Sequence, residues 1–479
     1  MNTYETVIGL EVHVELATKS KIFCGCTTEF GGEVNTHCCP VCTGMPGTLP
    51  VLNQSVVEFA IATGLATDCT ISRQTKFDRK NYFYPDLPKA YQVSQLYQPI
   101  CRDGKIEIEV GGNKKTIRIH EIHMEEDAGK LIHDPWEEAT LVDYNRCGVP
   151  LIEIVSEPDM RSSEEVIAYL EKLKLILQYL GVSDCKMQEG SLRADINLSV
   201  KQIGDKELGT RTEMKNMNSF KAIARAIEGE KKRQIELLEE GKSIVQETRR
   251  WDDNKDTSFA MRSKEDAQDY RYFPEPDLVP IEISEEWITA IKIRQPELRD
   301  EKMRRYEIEY KIPEYDAAII TSSKHLADLF EETVDLCKNP KEVSNWLMVE
   351  TMRLLKEHDM EPEHISLTPI NFAKLVELIT QGKINRTIAK EVFERIFKDN
   401  IDPETYVKEK GLLMVNDETL LRKVIEEILD KNPESVSDYK SGKERAFTYL
   451  VGQTMKEMKG KADPKTVNLI IKEQLKQKL

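Results

Sequence analysis

The stretch LEVHVEL, from Leu10 to Leu16, alternates apolar and polar residues without interruption. Successive side chains of a strand point to opposite faces, so the pattern predicts a β-strand with Glu11, His13 and Glu15 on one face. Two carboxylates and an imidazole would then stand in one row. Such a row is either the solvated face of a half-buried strand, which is common in antiparallel sheets, or a site that binds a cation.

Similar alternating segments continue to about Lys292, interspersed with amphipathic helices. KIEIEV (105–110), TIRIHEIHME (116–125) and SLRADINLSV (191–200) have the period of strands, whereas SSEEVIAYLEKLKLILQYLG is typical of a helix with Ser162 as its N-cap and Gly181 as its C-cap. Beyond Lys292, helical period dominates, as in NFAKLVELITQGKI and DETLLRKVIEEILDKN. The sequence therefore predicts an α+β fold, with a mixed or antiparallel sheet in an N-terminal catalytic domain and all-α domains after it.

The composition excludes several classes of protein. With 479 residues, 40% hydrophobic and 32% charged, the chain is long enough for two or three domains, and no apolar run is long enough for a membrane span. MNTYETVIGL lacks the basic and apolar segments of a secretory signal, so we expect a cytoplasmic protein without membrane contact. The net charge of −16 argues against a broad phosphate-binding surface. The segment from Ser441 to Leu479 is nevertheless basic, which favours either a polyanion-binding module or a solvated amphipathic helix.

The ten cysteines indicate metal ligands or free thiols rather than disulfides. FCGC places Cys24 and Cys26 two positions apart, and CCPVC places Cys39 and Cys42 in a CxxC arrangement. Two such pairs could close four thiolates around zinc, with Cys38 as an alternative to Cys39. The other interpretation is that these cysteines are reduced and unliganded. A zinc ion here would stabilise a loop rather than carry out chemistry.

Several segments combine charged residues in a way that suits anions or cations. KFDRKNYFYPDLPKAYQ holds Lys76, Arg79 and Lys80 among aromatic residues, which suits phosphate binding and ring stacking, although a surface loop has a similar composition. Acids and amides recur in HMEEDAGK, SLRADINLSV and RTEMKNMNSF, and like charges on one sheet repel unless a cation neutralises them. Neither GxxxxGK[ST] nor GxGxxG after a strand is present, so ATP would be bound through Mg²⁺ and carboxylates.

Eight segments, read in order, resemble the signatures of the B subunit of the bacterial aspartyl/glutamyl-tRNA amidotransferases. They are IGLEVHVEL, FDRKNYFYPDLPKAYQ, HMEEDAGK, PLIEIVSEPD, EGSLRADIN, QETRRWD, DYRYFPEPDL and YLVGQTMKEMKGKADPKTVN. The resemblance implies a cradle domain over residues 1–292, similar in fold to the catalytic domains of glutamine synthetase and the guanido kinases. It further implies a helical domain over residues 293–401 and a tRNA-binding tail domain over residues 402–479.

The resemblance also implies an activity and its partners. ATP phosphorylates the side-chain carboxylate of misacylated Glu-tRNA(Gln) or Asp-tRNA(Asn), and ammonia then displaces the phosphate. The ammonia comes from glutamine through the A subunit, which is an amidase, and the small C subunit wraps the pair. The resemblance implies that Glu11, His13 and Glu126 are catalytic and that Mg²⁺ is bound by Glu11, His13, Glu126, Asp195 and Glu213. Together with the segments quoted above, it gives ATP-binding Lys76, Arg79, Lys80, Asn81, Tyr82 and Lys215, and tRNA-binding Lys456, Lys459, Lys461 and Lys465. The family does not always carry the four cysteines, so zinc binding by Cys24, Cys26, Cys39 and Cys42 rests on their spacing together with the subset of members that have them.

Two other functional classes fit parts of the sequence. A scaffold that only presents tRNA to another active site would have its acidic clusters dispersed in space. A zinc-ribbon protein that binds nucleic acid without catalysis would carry basic residues around Cys24 to Cys42, where Lys19 and Lys21 lie just upstream. Neither class accounts for carboxylates on the faces of several strands.

Overall fold

A computed structural model describes residues 3–133, 138–263, 270–414, 418–458 and 461–477. The chain forms two compact units, Met1–Leu298 and Arg299–Leu479. Strands and helices are mixed in the first unit, and the described part of the second is helical. The predicted α+β class with an N-terminal sheet and a helical C-terminal region is confirmed.

The first unit contains strands with alternating and fully buried patterns. Their bounds are β1 (Tyr4–Glu15), β2 (Thr70–Ile71), β3 (Gln74–Thr75), β4 (Asp78–Asn81), β5 (Tyr91–Ser94), β6 (Cys101–Val110), β7 (Asn113–Glu126), β8 (Lys130–His133), β9 (Thr140–Asp143), β10 (Pro150–Ser156), β11 (Leu192–Gln202), β12 (Thr212–Lys215), β13 (Glu247–Asp252), β14 (Thr257–Ser263), β15 (Phe273–Pro274) and β16 (Ile281–Glu282).

Nine of these strands form one sheet in the order β14-β13-β12-β11-β1-β10-β7-β6-β2. Neighbouring strands are antiparallel except for β12 and β13, which are parallel, so the sheet is mixed. Smaller sheets pair β15-β4-β5, β16-β3 and β8-β9. The strand β1 lies in the middle of the large sheet, and its polar face is therefore flanked by polar faces on both sides.

Four helices contribute to the core of this unit: α1 (Gln54–Ala66), α2 (Ser163–Leu180), α3 (Phe220–Glu239) and α4 (Glu285–Arg294). Their apolar residues pack with Leu10, Val12 and Val14 of β1, which are almost fully buried. Glu11, His13 and Glu15 of the same strand are only half-buried. This burial pattern confirms the alternation predicted from LEVHVEL.

Helix α2 begins and ends as its sequence predicts. The side chain of Ser162 accepts a hydrogen bond from the backbone N–H of Glu165 at 3.3 Å. Gly181 takes the left-handed conformation, with φ of 69°, at which a residue without a side chain avoids strain. The carboxylate of Glu165 does not complete the capping box, because it accepts from Lys115 and from the backbone of Arg161 instead.

The second unit consists of helices with two separate apolar cores. The first core gathers residues between Tyr306 and Val407, and the second gathers residues between Leu421 and Leu475. Within the described residues, no helix is long and apolar enough to cross a membrane. The helices are α5 (Arg299–Ile308), α6 (Glu314–Ile320), α7 (Lys324–Cys337), α8 (Pro340–Trp346), a π-helix (Leu347–Thr351), α9 (Met352–His358), a 3₁₀-helix (Pro362–His364), α10 (Pro369–Thr380), α11 (Arg386–Asp399), α12 (Pro403–Glu409), α13 (Glu418–Lys431), α14 (Pro433–Lys440), α15 (Glu444–Glu457) and α16 (Pro464–Gln477).

Candidate active site on the polar face of the sheet

The sheet register aligns polar side chains from neighbouring strands with those of β1. His13 is paired with Glu153 of β10 on one side and with Arg193 of β11 on the other. Glu11 is paired with Asp195 of β11. Residues paired across strands share a face, so the polar row of β1 extends sideways over several strands.

The first group of candidate ligands consists of His13, Glu125 and Glu153. The Nε2 atom of His13 lies 3.3 Å from Glu153 and 3.6 Å from Glu125. A second imidazole, that of His123, places its Nε2 atom 3.1 Å from the same Glu153. The ligand atoms of the three-residue group lie within 4.8 Å of one another, which is close enough for one metal ion.

The electrostatics of this group reflect opposite charges brought together. Burial alone would lower the pKa of His13, but the carboxylates of Glu153 and Glu125 raise it to about 9. Burial alone would raise the pKa of Glu153, but the imidazoles of His13 and His123 hold it well below its ordinary value. These shifts show that the carboxylates of the group stabilise positive charge beside them. That charge can be carried by protonated histidines or by a bound cation.

The second group consists of Glu11, Asp195 and Glu213, whose ligand atoms also lie within 4.8 Å of one another. Glu11 accepts a hydrogen bond from Asn197 at 2.9 Å. Burial raises the pKa of Glu11, and so do the charges of Glu153 and Glu213. Three clustered carboxylates with only oxygen ligands are the donor set that Mg²⁺ prefers.

Lys215 is the cation of the second group. Its amine pairs with Asp195 and lies 3.3 Å from Glu213. Burial would lower the pKa of Lys215, but these two carboxylates raise it. Lys215 thus brings one positive charge to a group of three carboxylates.

The structure does not bring Glu126 into either group, although the sequence interpretation places it with Glu11 and His13. Side chains alternate along β7, so Glu125 faces His13 and Glu126 faces the other way. The carboxylate of Glu126 accepts from the amine of Lys89 and from the backbone N–H of Val93. Glu125 therefore takes the place that the sequence interpretation assigns to Glu126.

A pair of carboxyl groups lies at the end of the β1 row. Burial raises the pKa of Glu15 to about 8, helped by the neighbouring Asp127. Asp127 is in turn paired with Arg193 at 3.0 Å and with Arg146 at 3.2 Å, and its pKa is lowered in spite of burial. The pKa values of the two neighbouring carboxyl groups are therefore shifted in opposite directions.

A cavity of about 590 Å³ opens beside this pair. Its lining includes Glu15, Arg193 and the metal-ligand candidate Asp195, and Lys130 and Asn216 lie on its wall. A substrate in this cavity would therefore have direct access to a carboxylate of the second group.

The candidate ATP-binding residues of the β4 region divide between two faces. Lys80 points toward the first group, because Glu125 and Glu153 raise its pKa against the effect of burial. Its amine lies 5.1 Å from the ring centroid of Tyr270 and 5.8 Å from that of Tyr82.

The other candidates of this region have partners elsewhere. Arg79 is held by Glu275 at 2.7 Å and stacks on Tyr91. Lys76 lies over the ring of Tyr97, and Asn81 donates to the backbone carbonyl of Arg271.

The four predicted zinc ligands come together. The sulfur atoms of Cys24, Cys26, Cys39 and Cys42 lie within 4.8 Å of one another. The thiol of Cys38 donates to the backbone carbonyl of Asn35 instead, so the structure gathers Cys39 and leaves Cys38 outside the group. Four clustered thiols are the donor set of a closed structural zinc site.

Neighbouring side chains stabilise a thiolate at Cys42 in this group. A hydrogen bond from Cys24 lowers the pKa of Cys42 to about 4, and the nearby Lys21 contributes. Lys21 is fully buried, donates to the backbone carbonyl of His37 at 2.6 Å and lies 3.7 Å from the sulfur of Cys42. Because it is buried, Lys21 does not offer a basic surface for nucleic acid.

The predicted tRNA-binding lysines lie around the end of α15 and the start of α16. Lys456 and Lys465 are exposed, and Lys461 is half-buried. Lys459 lies outside the described residues. Asp463 caps α16 by accepting from the backbone N–H of Thr466 at 2.9 Å.

Sequence reasoning singled out neither Glu153 nor His123, and it recognised Glu125 and Arg193 only as members of their polar segments, without placing them beside His13. Glu153 had a readable signal, because it is the one charged residue inside the apolar run PLIEIV. The others depend on which strands are neighbours, and no local pattern carries that information.

Comparison with known proteins gives a consistent result. Residues 6–289 match the family described as the GatB/GatE catalytic domain, and residues 328–475 match the GatB domain. The chain is 78% identical over 475 residues to the B subunit of the aspartyl/glutamyl-tRNA(Asn/Gln) amidotransferase from Lachnoclostridium phytofermentans, covering 99% of both chains. It is 67% identical to the protein of the same name from Agathobacter rectalis, covering 99% of this chain and 100% of that one. The chain therefore belongs to the family of aspartyl/glutamyl-tRNA(Asn/Gln) amidotransferase B subunits.

Proposed function

We propose that the polar face of the large sheet catalyses the ATP-dependent step in the amidation of misacylated Glu-tRNA(Gln), Asp-tRNA(Asn) or both. The observation that carries this proposal is the side-by-side position of the two ligand groups. Glu11 of the second group and Glu153 of the first lie close enough that the charge of Glu153 raises the pKa of Glu11. Gathered rather than dispersed acids favour an enzyme over a scaffold that only presents tRNA.

The chemistry explains why such a site needs cations. A carboxylate is a poor acyl donor, so the side chain on the tRNA first takes the terminal phosphoryl group of ATP, and ADP leaves. Ammonia then attacks the acyl phosphate, the new C–N bond forms and inorganic phosphate leaves. The first step brings a negatively charged nucleophile to a negatively charged phosphate, and the barrier is lowered by fixed positive charge.

The residues of the two groups fit Mg²⁺ to different degrees. The second group offers only carboxylates, whereas the first includes an imidazole, which Mg²⁺ binds less readily than oxygen. When bound, Mg²⁺ would neutralise the charge that develops on the phosphate oxygens. Lys80 on one side and Lys215 on the other are oriented by carboxylates of these groups, and they supply further positive charge.

The remaining residues fit supporting roles. The cavity beside Asp195, with Arg193 and Lys130 in its lining, suits the aminoacyl end of a tRNA. The exposed Lys456 and Lys465 suit contacts with tRNA phosphates. The cysteine group suits a structural zinc ion, and elemental analysis of the purified protein tests that assignment.

The family name designates one subunit of a larger enzyme, and the proposal therefore extends to a complex. We propose that the amidase, as the A subunit, supplies ammonia from glutamine and that a small third protein, the C subunit, completes a cytoplasmic heterotrimer. The similarity of the sheet domain to glutamine synthetase and the guanido kinases belongs to the same proposal.

The test is an assay of the purified complex with each misacylated tRNA. We expect amidation that requires ATP and a divalent cation, and release of ADP and phosphate in equal amounts with the amidated product. Glu125→Gln should abolish this reaction while glutamine hydrolysis continues, because Glu125 faces His13 on the sheet. Amidation without ATP, or normal amidation by Glu125→Gln, would contradict the proposal.

A further inference from the structure

A buried lysine lies against the group of four cysteines. Lys21 is fully buried, and its ammonium donates to three acceptors from different parts of the chain. They are the backbone carbonyl of His37 at 2.6 Å, the backbone carbonyl of Tyr144 at 3.5 Å and the sulfur of Cys42 at 3.7 Å. An ammonium has three N–H bonds, so these acceptors use its full capacity to donate.

The charge of Lys21 has no carboxylate partner. Within the residues that the structure describes, no Asp or Glu side chain pairs with its amine. Lys89, which lies in the same region, does pair with a carboxylate, that of Glu126. A buried charge without a counter-charge is costly. Of the three acceptors of Lys21, only the sulfur of Cys42 can carry a full negative charge.

A zinc ion in the cysteine group would raise the negative charge beside Lys21. Zn²⁺ bound by four thiolates has two excess negative charges, and a hydrogen bond from a cation to one of the sulfurs disperses part of that charge. Groups that donate hydrogen bonds to metal ligands orient those ligands and change the affinity for the metal. The position of Lys21 against Cys42 fits this role.

The segment between the two cysteine pairs forms one wall of the cavity of about 590 Å³. Residues 28–32 and Val34 line this cavity, and His37 follows in the same segment. The peptide group before His37 is also held from the other side, because its N–H donates to the side chain of Asn145 at 2.8 Å. The ammonium of Lys21 therefore contacts both the cysteine group and the segment that forms the wall.

We propose that Lys21 is a positioning residue of the cysteine site, through which zinc binding fixes this wall of the cavity. The inference rests on the proposed function, because it takes zinc as the metal and the cavity as the place of the aminoacyl end of the tRNA. The ammonium stabilises the negative charge of the thiolates around zinc, and the same ammonium fixes the carbonyl of His37. Loss of zinc removes part of that negative charge, which weakens the hold on the ammonium and on the wall.

The first experiment compares the full-length wild type with Lys21→Met, which keeps a long side chain and removes its charge. The affinity for zinc, measured by competition with a chromogenic chelator, should fall by about tenfold to a hundredfold. Removal of zinc should lower the thermal midpoint more in the wild type than in Lys21→Met, because effects that act on one group are not additive. With Co²⁺ in place of zinc, the sulfur-to-metal charge-transfer bands of Lys21→Met should lie at longer wavelength, since a sulfur without this hydrogen bond gives up an electron more readily.

Lys19→Met is the matched control, because Lys19 is an exposed lysine two positions away and the change removes the same charge. It should keep the zinc affinity and the Co²⁺ spectrum of the wild type. Wild-type zinc affinity and Co²⁺ spectrum in Lys21→Met would overturn the inference, and so would additive effects of zinc removal and Lys21→Met on the thermal midpoint.

The second experiment uses the wild-type complex alone and so does not depend on the folding of a variant. Removal of zinc should raise the KM for misacylated tRNA severalfold and leave the KM for ATP unchanged, because residues 28–34 line the cavity and include no residue of the two carboxylate-containing ligand groups. An equal rise of both KM values would contradict the inference. A wild-type protein that binds no zinc would instead overturn the zinc assignment made in the proposed function.

Discussion

Carboxylates on the two faces of the large sheet have pKa values that are shifted in opposite directions. On the face covered by helices, Glu230 of α3 is fully buried and has several partners. Arg233 donates to it, Thr212 donates at 2.8 Å and Gln234 donates at 2.9 Å. These hydrogen bonds and charges lower the pKa of Glu230 even though burial opposes them.

On the polar face, Glu11 accepts a hydrogen bond from Asn197 and is surrounded by other acids. Its pKa is raised by burial and by like charges, in contrast to that of Glu230. A buried charge with a full set of partners holds a fold together, whereas clustered charges without compensation cost stability. This difference is what the proposed cation site at the Glu11 group requires.

The largest effect is expected from Glu11→Gln in the assembled complex. The change keeps the shape and removes the charge, so ATP-dependent amidation should fall by about a hundredfold or more. The thermal midpoint should stay the same or rise, because repulsion within the group is relieved. Glu109→Gln, at an exposed position of β6, is the control and should leave both quantities unchanged. If Glu11→Gln lost stability as well as activity, Glu11 would have a structural role like that of Glu230, which would contradict the comparison.

Glu230→Gln should have the opposite effect to Glu11→Gln, with a loss of stability and no loss of activity. Arg233 and Arg249 would lose the charge that compensates theirs, so the free energy of unfolding of the first unit should fall by about 3 kcal/mol in urea titrations. Amidation per folded molecule should be retained. Glu236→Gln on the same helix is a suitable control, because Glu236 is 60% exposed. A stable but inactive Glu230→Gln variant would argue that both faces serve catalysis.

The smallest expected effect is on the pH dependence of stability, and it comes from Glu15, whose carboxyl group has a raised pKa. Its pKa of about 8 in the folded chain lies above the ordinary value of 4.5, so the folded state keeps a proton that the unfolded state releases. Stability due to this group is therefore lost as the pH rises between those values. The stability advantage of Glu15→Gln over wild type should therefore grow steadily from pH 5 to pH 8.

The control for this measurement is Glu5→Gln. The pKa of Glu5 is lowered, chiefly by its hydrogen bond with Arg161, so Glu5 stays ionised throughout this range. The stability difference between wild type and Glu5→Gln should be constant with pH. A constant difference for Glu15→Gln as well would show that Glu15 is ionised in the folded chain.

Sequence alone predicted the local part of this arrangement. Alternation in LEVHVEL assigned Glu11, His13 and Glu15 to one face, and cysteine spacing assigned four thiols to one cluster. The resemblance placed Glu126 with Glu11 and His13, whereas the side chain that lies beside His13 is that of Glu125, because the register of β7 against β10 decides which of two adjacent acids faces His13.

The alignment of residues across distant strands of the sheet could not be predicted from sequence, for a related physical reason. Arg250 and Phe259 lie far from Glu11 along the chain, and their alignment depends on the strand order and on the parallel pairing of β12 with β13. Long-range pairing is set by the packing of the whole unit rather than by local periodicity.

The most direct test of the central claim is a titration of the purified protein with Mn²⁺ as a paramagnetic probe for divalent cations. We expect two neighbouring ions, one lost in Glu11→Gln and the other in His13→Ala, while Glu230→Gln keeps both. The spin coupling between the two ions should disappear in either single-site variant. Unchanged Mn²⁺ binding in Glu11→Gln and His13→Ala would contradict the claim that the polar face of the sheet is built around cations.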